Sequence, residues 1–189
     1  MIPEQEQVAI DAAKENKCAF ITLYDQNFHC IYGFLLARGL NRETAEDLTS
    51  ETFSLALKNI DRYVYTGKPF KAWLYRIAIN EMNKHFKRQQ RDKKILIMEK
   101  NHSEMTTEAA DQELKRKEEE FVHGKNRAVL QDALKHLKPK EQDLISLRYF
   151  EDLSYKEIGD IMGMRLSHVG VKLNRTLKRL SKLCTFYPL

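Results

Sequence analysis

Apolar residues return at steps of three and four through much of this chain, the spacing of one face of an α-helix. Phe20, Leu23, Tyr24, Phe28, Ile31, Leu35 and Leu36 predict a first helix, which Gly39 ends, and Asn41 stands where it can cap the next. Ala45, Leu48, Thr52, Leu55 and Ala56 form the inner stripe of that second helix. A loop from Asp61 to Pro69 follows, and a third long helix begins near Phe70, carries Trp73, Leu74, Ile77 and Ala78, and turns basic at Lys84. The pattern then fades: between Asn101 and Glu120 the only large apolar residues are Met105 and Leu114. Such a stretch buries too little area to offset its ordering entropy, and it reads as a linker with partial helix around Leu114.

Periodicity resumes near Arg127. Val129, Leu130, Ala133, Leu134 and Leu137 share one face, and Pro139 suits the first turn of the helix that carries Leu144, Ile145 and Leu147 to Phe150. Ser154 and Glu157 make a capping box for a short helix with Ile158, Ile161 and Met162 inside, and Gly163 supplies a tight turn. The last helix has an apolar stripe of Leu166, Val169, Leu173, Leu177, Leu180 and Cys184. Another face carries Arg165, His168, Lys172, Arg175, Arg179 and Lys182. A capped short helix, a glycine turn and a basic amphipathic helix are the parts of a helix-turn-helix. Its second helix enters the major groove and meets base edges with its first residues. That assigns base contact to Arg165, Ser167, His168 and Lys172, and phosphate contact to Arg175, Lys178 and Arg179. The alternative is an antiparallel helix pair with a solvated outer face, which would ordinarily mix both signs of charge. No acid follows Asp160.

The fold class is therefore all-α. Two small helical domains, residues 1–98 and 125–189, are joined by a flexible acidic linker, 99–124. Seven Gly and four Pro among 189 residues agree with this, being too few for the turns of a sandwich or barrel. The longest uncharged stretch, Gln26 to Ala37, is 12 residues, too short to cross a bilayer, so no membrane insertion is expected. No basic segment followed by an apolar run opens the chain, and Cys18, Cys30 and Cys184 form no CxxC pair. Both features point to a cytoplasmic protein.

Charge sharpens the picture. The net +5 is concentrated in two blocks: residues 84–98 hold 6 Lys/Arg against 1 Asp/Glu, and residues 165–189 hold 6 against none. The linker holds 4 against 8. Two separated basic blocks fit two contacts on one polyanion, since each neutralised phosphate releases counterions. Tyr63, Tyr65, Phe70, Trp73 and Tyr75 cluster just before Lys84, Lys87, Arg88 and Arg91. Aromatic rings beside a basic run can stack unpaired bases, each worth about 1–3 kcal/mol. Trp73 reads as core, with stacking as the alternative; for Tyr63, Tyr65 and Phe70, placement in or beside the loop leaves both readings open. Asn80 offers a donor and an acceptor to a base edge. No phosphate loop, nucleophile elbow or HExxH motif is present, and His29, His85, His102, His123, His136 and His168 lack ligand spacing. No catalysis, metal or cofactor is expected.

These stretches resemble the bacterial RNA polymerase sigma factors of the sigma-70 family, extracytoplasmic-function (ECF) group. Ala45-Glu46-Asp47-Leu48-Thr49-Ser50-Glu51-Thr52-Phe53 is similar to the family's segment for docking on polymerase core. Phe70-Lys71-Ala72-Trp73-Leu74-Tyr75-Arg76-Ile77-Ala78-Ile79-Asn80 resembles its −10 segment, and Leu147 to Gly159 the entry to its −35-reading domain. The likeness covers roughly residues 18–92 and 126–183. It implies core-polymerase contact by Asp47, Leu48, Glu51 and Phe53. It also implies −10 contact by Tyr63, Tyr65, Phe70, Trp73, Arg76, Asn80, Lys84, Lys87, Arg88 and Arg91. Partners implied are polymerase core (clamp helices and flap), promoter DNA as duplex and melted strand, and an anti-sigma factor. Ser50 stands where the family usually has Gln, Lys84 where an acid is common, His168 for a frequent Thr and Gly170 for a frequent Lys. Gly170 inside a helix costs on the order of 1 kcal/mol, loosening that helix or admitting DNA backbone. The rival reading is a helix-turn-helix regulator that binds duplex DNA without polymerase, which leaves residues 18–92 without a task. The linker is expected to act as a passive spacer.

Overall fold

The computed structural model describes residues 3–65, 68–100, 130 and 132–185. All regular structure among them is helical. In the amino-terminal half, α1 spans Pro3–Glu15, α2 Phe20–Ala37, α3 Arg42–Asn59 and α4 Phe70–Lys100. In the carboxy-terminal half, α5 is described over residues 132–135, followed by α6, Pro139–Ile145, with a π-helical turn Ser146–Phe150, α7, Tyr155–Met162, and α8, Leu166–Thr185.

The punctuation follows from the residues named above. Gly39 takes φ +82, a left-handed conformation that costs a residue without Cβ little, and the Asn41 side chain accepts the Thr44 N–H at 2.8 Å. That cap is worth about 1 kcal/mol. Ser154 and Glu157 close their capping box, and Gly163 ends α7 at φ +66. Pro139 occupies the first turn of α6, where the Glu141 carboxylate accepts the Lys138 N–H.

One apolar cluster results. Phe20, Leu23, Phe34, Ala45, Phe53, Phe70 and Leu74 are buried among α1 to α4, and Leu144, Leu147, Ile158, Val169 and Leu173 continue it among α6 to α8. Sequence reasoning missed α1, whose Ile10 and Ala13 are fully buried; with so few large apolar positions, no stripe announces it. The stripe of α8 is also corrected. Leu166 is 58% exposed and Leu177 is 37% exposed, while Thr176 is buried beside Val169, Leu173 and Leu180. The buried face of α8 therefore runs through Val169, Leu173, Thr176 and Leu180, against α6 and α7. The first two residues of the expected linker, Glu99 and Lys100, belong to α4, and the rest of it, with the partial helix expected at Leu114, lies outside the described residues.

One feature of the packing runs against the expectation of domains held by a tether alone. The halves touch directly, α2 against the π-helical turn and α4 against α7. Between them lies an ion pair from Arg38 Nε to Asp143 at 2.7 Å, with both side chains 2% exposed, and the Arg38 guanidinium also donates to Gln142. Burial raises the Asp143 carboxyl above its usual range, more than the guanidinium beside it draws it down.

Candidate nucleic-acid interface

The helix α3 carries the segment matched to polymerase docking. Asp47, Ser50 and Glu51 are exposed on its outer face, within reach of a partner. Leu48 and Phe53 are not: both are buried, and the Phe53 ring packs on Tyr24 at 4.7 Å and on Phe20 at 6.4 Å. With Ala45, Thr49, Thr52 and Ala56 they make up the broad buried face of α3, so they hold the helix while its acids face outward. The expectation of direct contact by Leu48 and Phe53 is corrected accordingly.

The aromatic cluster before the first basic block divides in the same way. Phe70 is 0% exposed and Tyr63 is 8% exposed. The Tyr63 ring meets Phe70 at 5.3 Å and Trp73 at 4.9 Å. Burial pushes the Tyr63 phenol up to about 12, with Glu6 and Tyr65 adding to the shift. Tyr75 is also buried, and burial and the adjacent Glu151 carboxylate raise its phenol far above the usual range. The two alternatives left open for Tyr63 and Phe70 therefore resolve to packing. These two rings form the floor beneath Trp73. Tyr65 is half-buried at the loop, and Trp73 is half-buried as well. Trp73 opens on a cavity of about 530 Å³ that Arg76, Asn80, Val64 and Asp160 also line. An aromatic face with an amide and a guanidinium at one opening has the composition of a base pocket: a stacking surface with groups to read an edge.

Beyond this pocket α4 presents Lys84, Lys87, Arg88 and Arg91, all exposed. Lys84 pairs with Glu81 at 2.7 Å, one turn back, which anchors the first of these cations without neutralising the row. The helix-turn-helix presents the second row. Arg165 just before α8 and Ser167, His168, Arg175, Lys178 and Arg179 on it are exposed, and Lys172 is half-buried. Arg179 reaches Glu141 at 3.4 Å, a partly exposed pair of small energetic weight.

The turn itself is built on Gly159. A Cβ there would meet the Met164 carbonyl oxygen at 2.7 Å, so the chain after α7 can fold back only over a residue with no side chain. Gly170 is different. It carries no left-handed backbone, and a Cβ would meet the Tyr155 ring of α7 at 3.4 Å. Gly170 faces the partner helix, so its role in close DNA approach is withdrawn.

Both basic rows meet in one cleft of about 890 Å³, where Lys84 and Lys87 of α4 face Lys172 and Arg175 of α8. No spacing in the sequence announces this, because the contacts that create it join residues about a hundred positions apart. Arg76 shows the same thing. It was matched to promoter contact, yet its guanidinium donates to the Ile161 carbonyl at 3.0 Å and the Asp160 carbonyl at 2.6 Å. Tyr75 Oη donates to Glu151 at 2.8 Å. Burial raises the Glu151 carboxyl, against the pull of Tyr75 and Lys71. Glu157, which burial alone would raise, is held below its usual range by the Ser154 N–H and hydroxyl and by Lys71.

Comparison with known proteins adds to this geometry. Residues 23–92 match the family model for Sigma-70 region 2, and residues 127–180 match that for Sigma-70, region 4. The chain is 33% identical over 165 residues to the ECF RNA polymerase sigma factor BldN of Streptomyces coelicolor. That match covers 87% of this chain and 60% of the relative's length. It is 32% identical over 163 residues to the RNA polymerase sigma factor YlaC of Bacillus subtilis, covering 86% of this chain and 90% of the relative. Its fold is similar to that of CnrH, solved in complex with the cytosolic domain of CnrY. The TM-score is 0.69 at 18% identity, over 97% of this chain and 99% of the other. A second similar fold is the sigma factor RpoE of Bartonella quintana in complex with the anti-sigma factor NepR. Its TM-score is 0.61 at 19% identity, over 88% and 96% of the two chains.

Proposed function

The chain belongs to the sigma-70 family of RNA polymerase sigma factors, in its extracytoplasmic-function group, and on that premise we propose how its residues direct core enzyme to promoters. Members of the family regulate transcription rather than catalyse a reaction. The reading takes residues 1–98 as the module that docks on core and engages the −10 element. Residues 125–189 are the module for the −35 element and the flap, and 99–124 are the spacer between them.

Asp47 and Glu51 on α3 supply the acidic face for the clamp helices of core. Trp73 stacks a base lifted from the non-template strand, Asn80 reads its edge, and Arg76 neutralises the adjacent phosphate. Tyr65 follows Val64 in the loop that lines this site, while Lys84, Lys87, Arg88 and Arg91 track the backbone away from it. Capturing an unpaired base stabilises melted DNA relative to duplex, which is how binding energy assists opening. On α8, Arg165, Ser167, His168 and Lys172 read bases in the major groove, and Arg175, Lys178 and Arg179 hold phosphates. An anti-sigma factor belongs to this reading as a partner, supported by the complex of RpoE with NepR. The protein acts where polymerase is, in the cytoplasm. No described helix is long and apolar enough to cross a membrane.

The observation that carries the proposal is the joint presence, in one chain, of an exposed acidic docking helix, an aromatic-amide pocket and a basic helix-turn-helix. A helix-turn-helix regulator needs only the third. Run-off transcription with purified core over a genomic promoter library tests it. Promoter-specific transcripts that require this chain are expected. Absence of stimulation on every template, with tight binding of promoter duplex by the chain alone, would return the regulator reading.

A further inference from the structure

The cleft between α4 and α8 gathers more positive charge than its own acids balance. Lys84, Lys87, Lys138, Lys140, Lys172 and Arg175 line it, together with Glu81, Glu141 and Asp143. Each of these carboxylates is already engaged. Glu81 pairs with Lys84 at 2.7 Å, Asp143 with the buried Arg38 at 2.7 Å, and Glu141 with Arg179 at 3.4 Å. Arg38 and Arg179 are not part of the lining. Lys87, Lys138, Lys140, Lys172 and Arg175 are left with no carboxylate at ion-pair distance among the described residues. Lys140 influences Asp143 only at longer range. These five cations come from α4, from the residues flanking Pro139 at the start of α6, and from α8, so tertiary packing alone brings them together. Around one cleft they repel each other, and an anion seated among them turns that repulsion into attraction.

We propose that this cleft is a binding site for a small polyphosphorylated ligand, a nucleoside polyphosphate, held by Lys87, Lys138, Lys140, Lys172 and Arg175. One phosphate group carries about −1.5 to −2 at pH 7, so a single group leaves most of the cluster unmatched and a chain of phosphates is required. The volume of about 890 Å³ suits a small molecule, whose sites span roughly 300–1,000 Å³. A duplex, with a major groove alone about 12 Å wide, is too large for it. Pro139 and Leu144 give the cleft an apolar edge, and Asn83 gives it an amide with both donor and acceptor. A nucleoside uses both, whereas a bare phosphate chain uses neither. Lys84, Lys87, Lys172 and Arg175 are also assigned to promoter DNA, so ligand and DNA draw on the same cations and exclude each other. That consequence rests on the function proposed above; the site does not, because Lys138 and Lys140 have no part in the DNA assignment.

The experiment measures binding of ATP, GTP, AMP and inorganic triphosphate to the full-length chain by isothermal titration calorimetry. The buffer holds about 0.15 M salt, where exposed charges more than about 8 Å apart are largely screened. One saturable site is expected, with a nucleoside triphosphate bound about tenfold or more tighter than AMP or inorganic triphosphate. Lys138→Ala with Lys140→Ala, and separately Lys172→Ala with Arg175→Ala, should each weaken it about tenfold, with helix content retained by circular dichroism. Lys93→Ala with Lys94→Ala removes the same charge from α4 outside the cleft and should change affinity less than about twofold. No saturable binding below about 1 mM, or equal losses in all three double variants, would overturn the site. Equal affinity for inorganic triphosphate would overturn the nucleoside assignment. Binding that appears only after Glu118, Glu119 and Glu120 are changed to Gln would make the chain's own linker the occupant and overturn the proposal. The bound nucleotide should also displace a labelled random duplex from the chain; binding without displacement keeps the site and overturns its shared use with DNA.

Discussion

The two nucleic-acid modules of this sigma factor place their chemistry differently. On the reading proposed above, the carboxy-terminal module reads duplex DNA with one face of one helix, and that face shows in the sequence as a row of cations on α8. On the same reading the amino-terminal module holds a base that has left the stack, which needs a concave site with a floor and walls. Its cavity draws Val64 from the loop, Trp73, Arg76 and Asn80 from α4, and Asp160 from the other module. A surface row is a property of local periodicity, whereas a pocket is a property of packing. The same aromatic residue type therefore reads as ligand contact or as core until the tertiary structure decides.

The sharpest way to break this comparison is to treat floor and wall alike. Phe70→Ala should cost about 3–5 kcal/mol of folding stability, as a fully buried aromatic does. Its loss of promoter opening should follow the lost folded fraction. Trp73→Ala should instead lose opening of a supercoiled promoter, seen by permanganate reactivity, at temperatures where the protein remains folded. Equal behaviour of the two would erase the division between floor and stacking surface.

Two glycines offer a second contrast within the helix-turn-helix. Gly159→Ala forces a Cβ to 2.7 Å from a carbonyl oxygen and should cost about 1–3 kcal/mol, read as a lower Tm. Gly170→Ala meets the Tyr155 ring at an ordinary contact distance and should raise stability by up to about 1 kcal/mol through helix propensity. Destabilisation by Gly170→Ala would mean that α8 packs more tightly on α7 than described.

A third test divides the α8 cations. Arg165→Ala and Lys172→Ala should change sequence choice in the −35 region, with a base-specific loss of about 1–3 kcal/mol per good contact. Arg175→Ala and Lys178→Ala should weaken holoenzyme binding almost uniformly across promoters and flatten its salt dependence. The four sharing one sequence-independent effect would contradict the groove orientation. The smallest effect concerns Tyr63. Its phenol should titrate near 12, against about 10 for an ordinary tyrosine, in the absorbance difference between wild type and Tyr63→Phe. Because the folded-state pKa is raised, the neutral phenol's contribution is fully present below pH 10 and is lost as pH rises through 12. Tyr63→Phe should therefore be less alkali-sensitive than wild type.

What was legible in the sequence divides along the same line. The caps at Asn41 and Ser154, the turns at Gly39 and Gly163, and the start of α4 at Phe70 rest on local rules and stand in the structure. So does the exposure of the basic residues on α4. The errors lie where packing overrides spacing. Leu48 and Phe53 sat inside a docking motif yet turn inward; Leu166 and Leu177 held a regular stripe yet face solvent. The pairing of Arg38 with Asp143 was beyond reach, because a lone arginine near a helix end and a lone aspartate in a balanced segment carry no mark of each other.

The central claim, that one chain carries two promoter readers that work only on polymerase, has a direct test. Core enzyme with this chain is used to select bound, transcribed duplexes from a random library, and the chain alone is put through the same selection. The account predicts two conserved blocks at a fixed separation, recovered only with core, the upstream block altered by Arg165→Ala and the downstream block by Asn80→Ala. A single block, or an inverted repeat, enriched equally without core would contradict it.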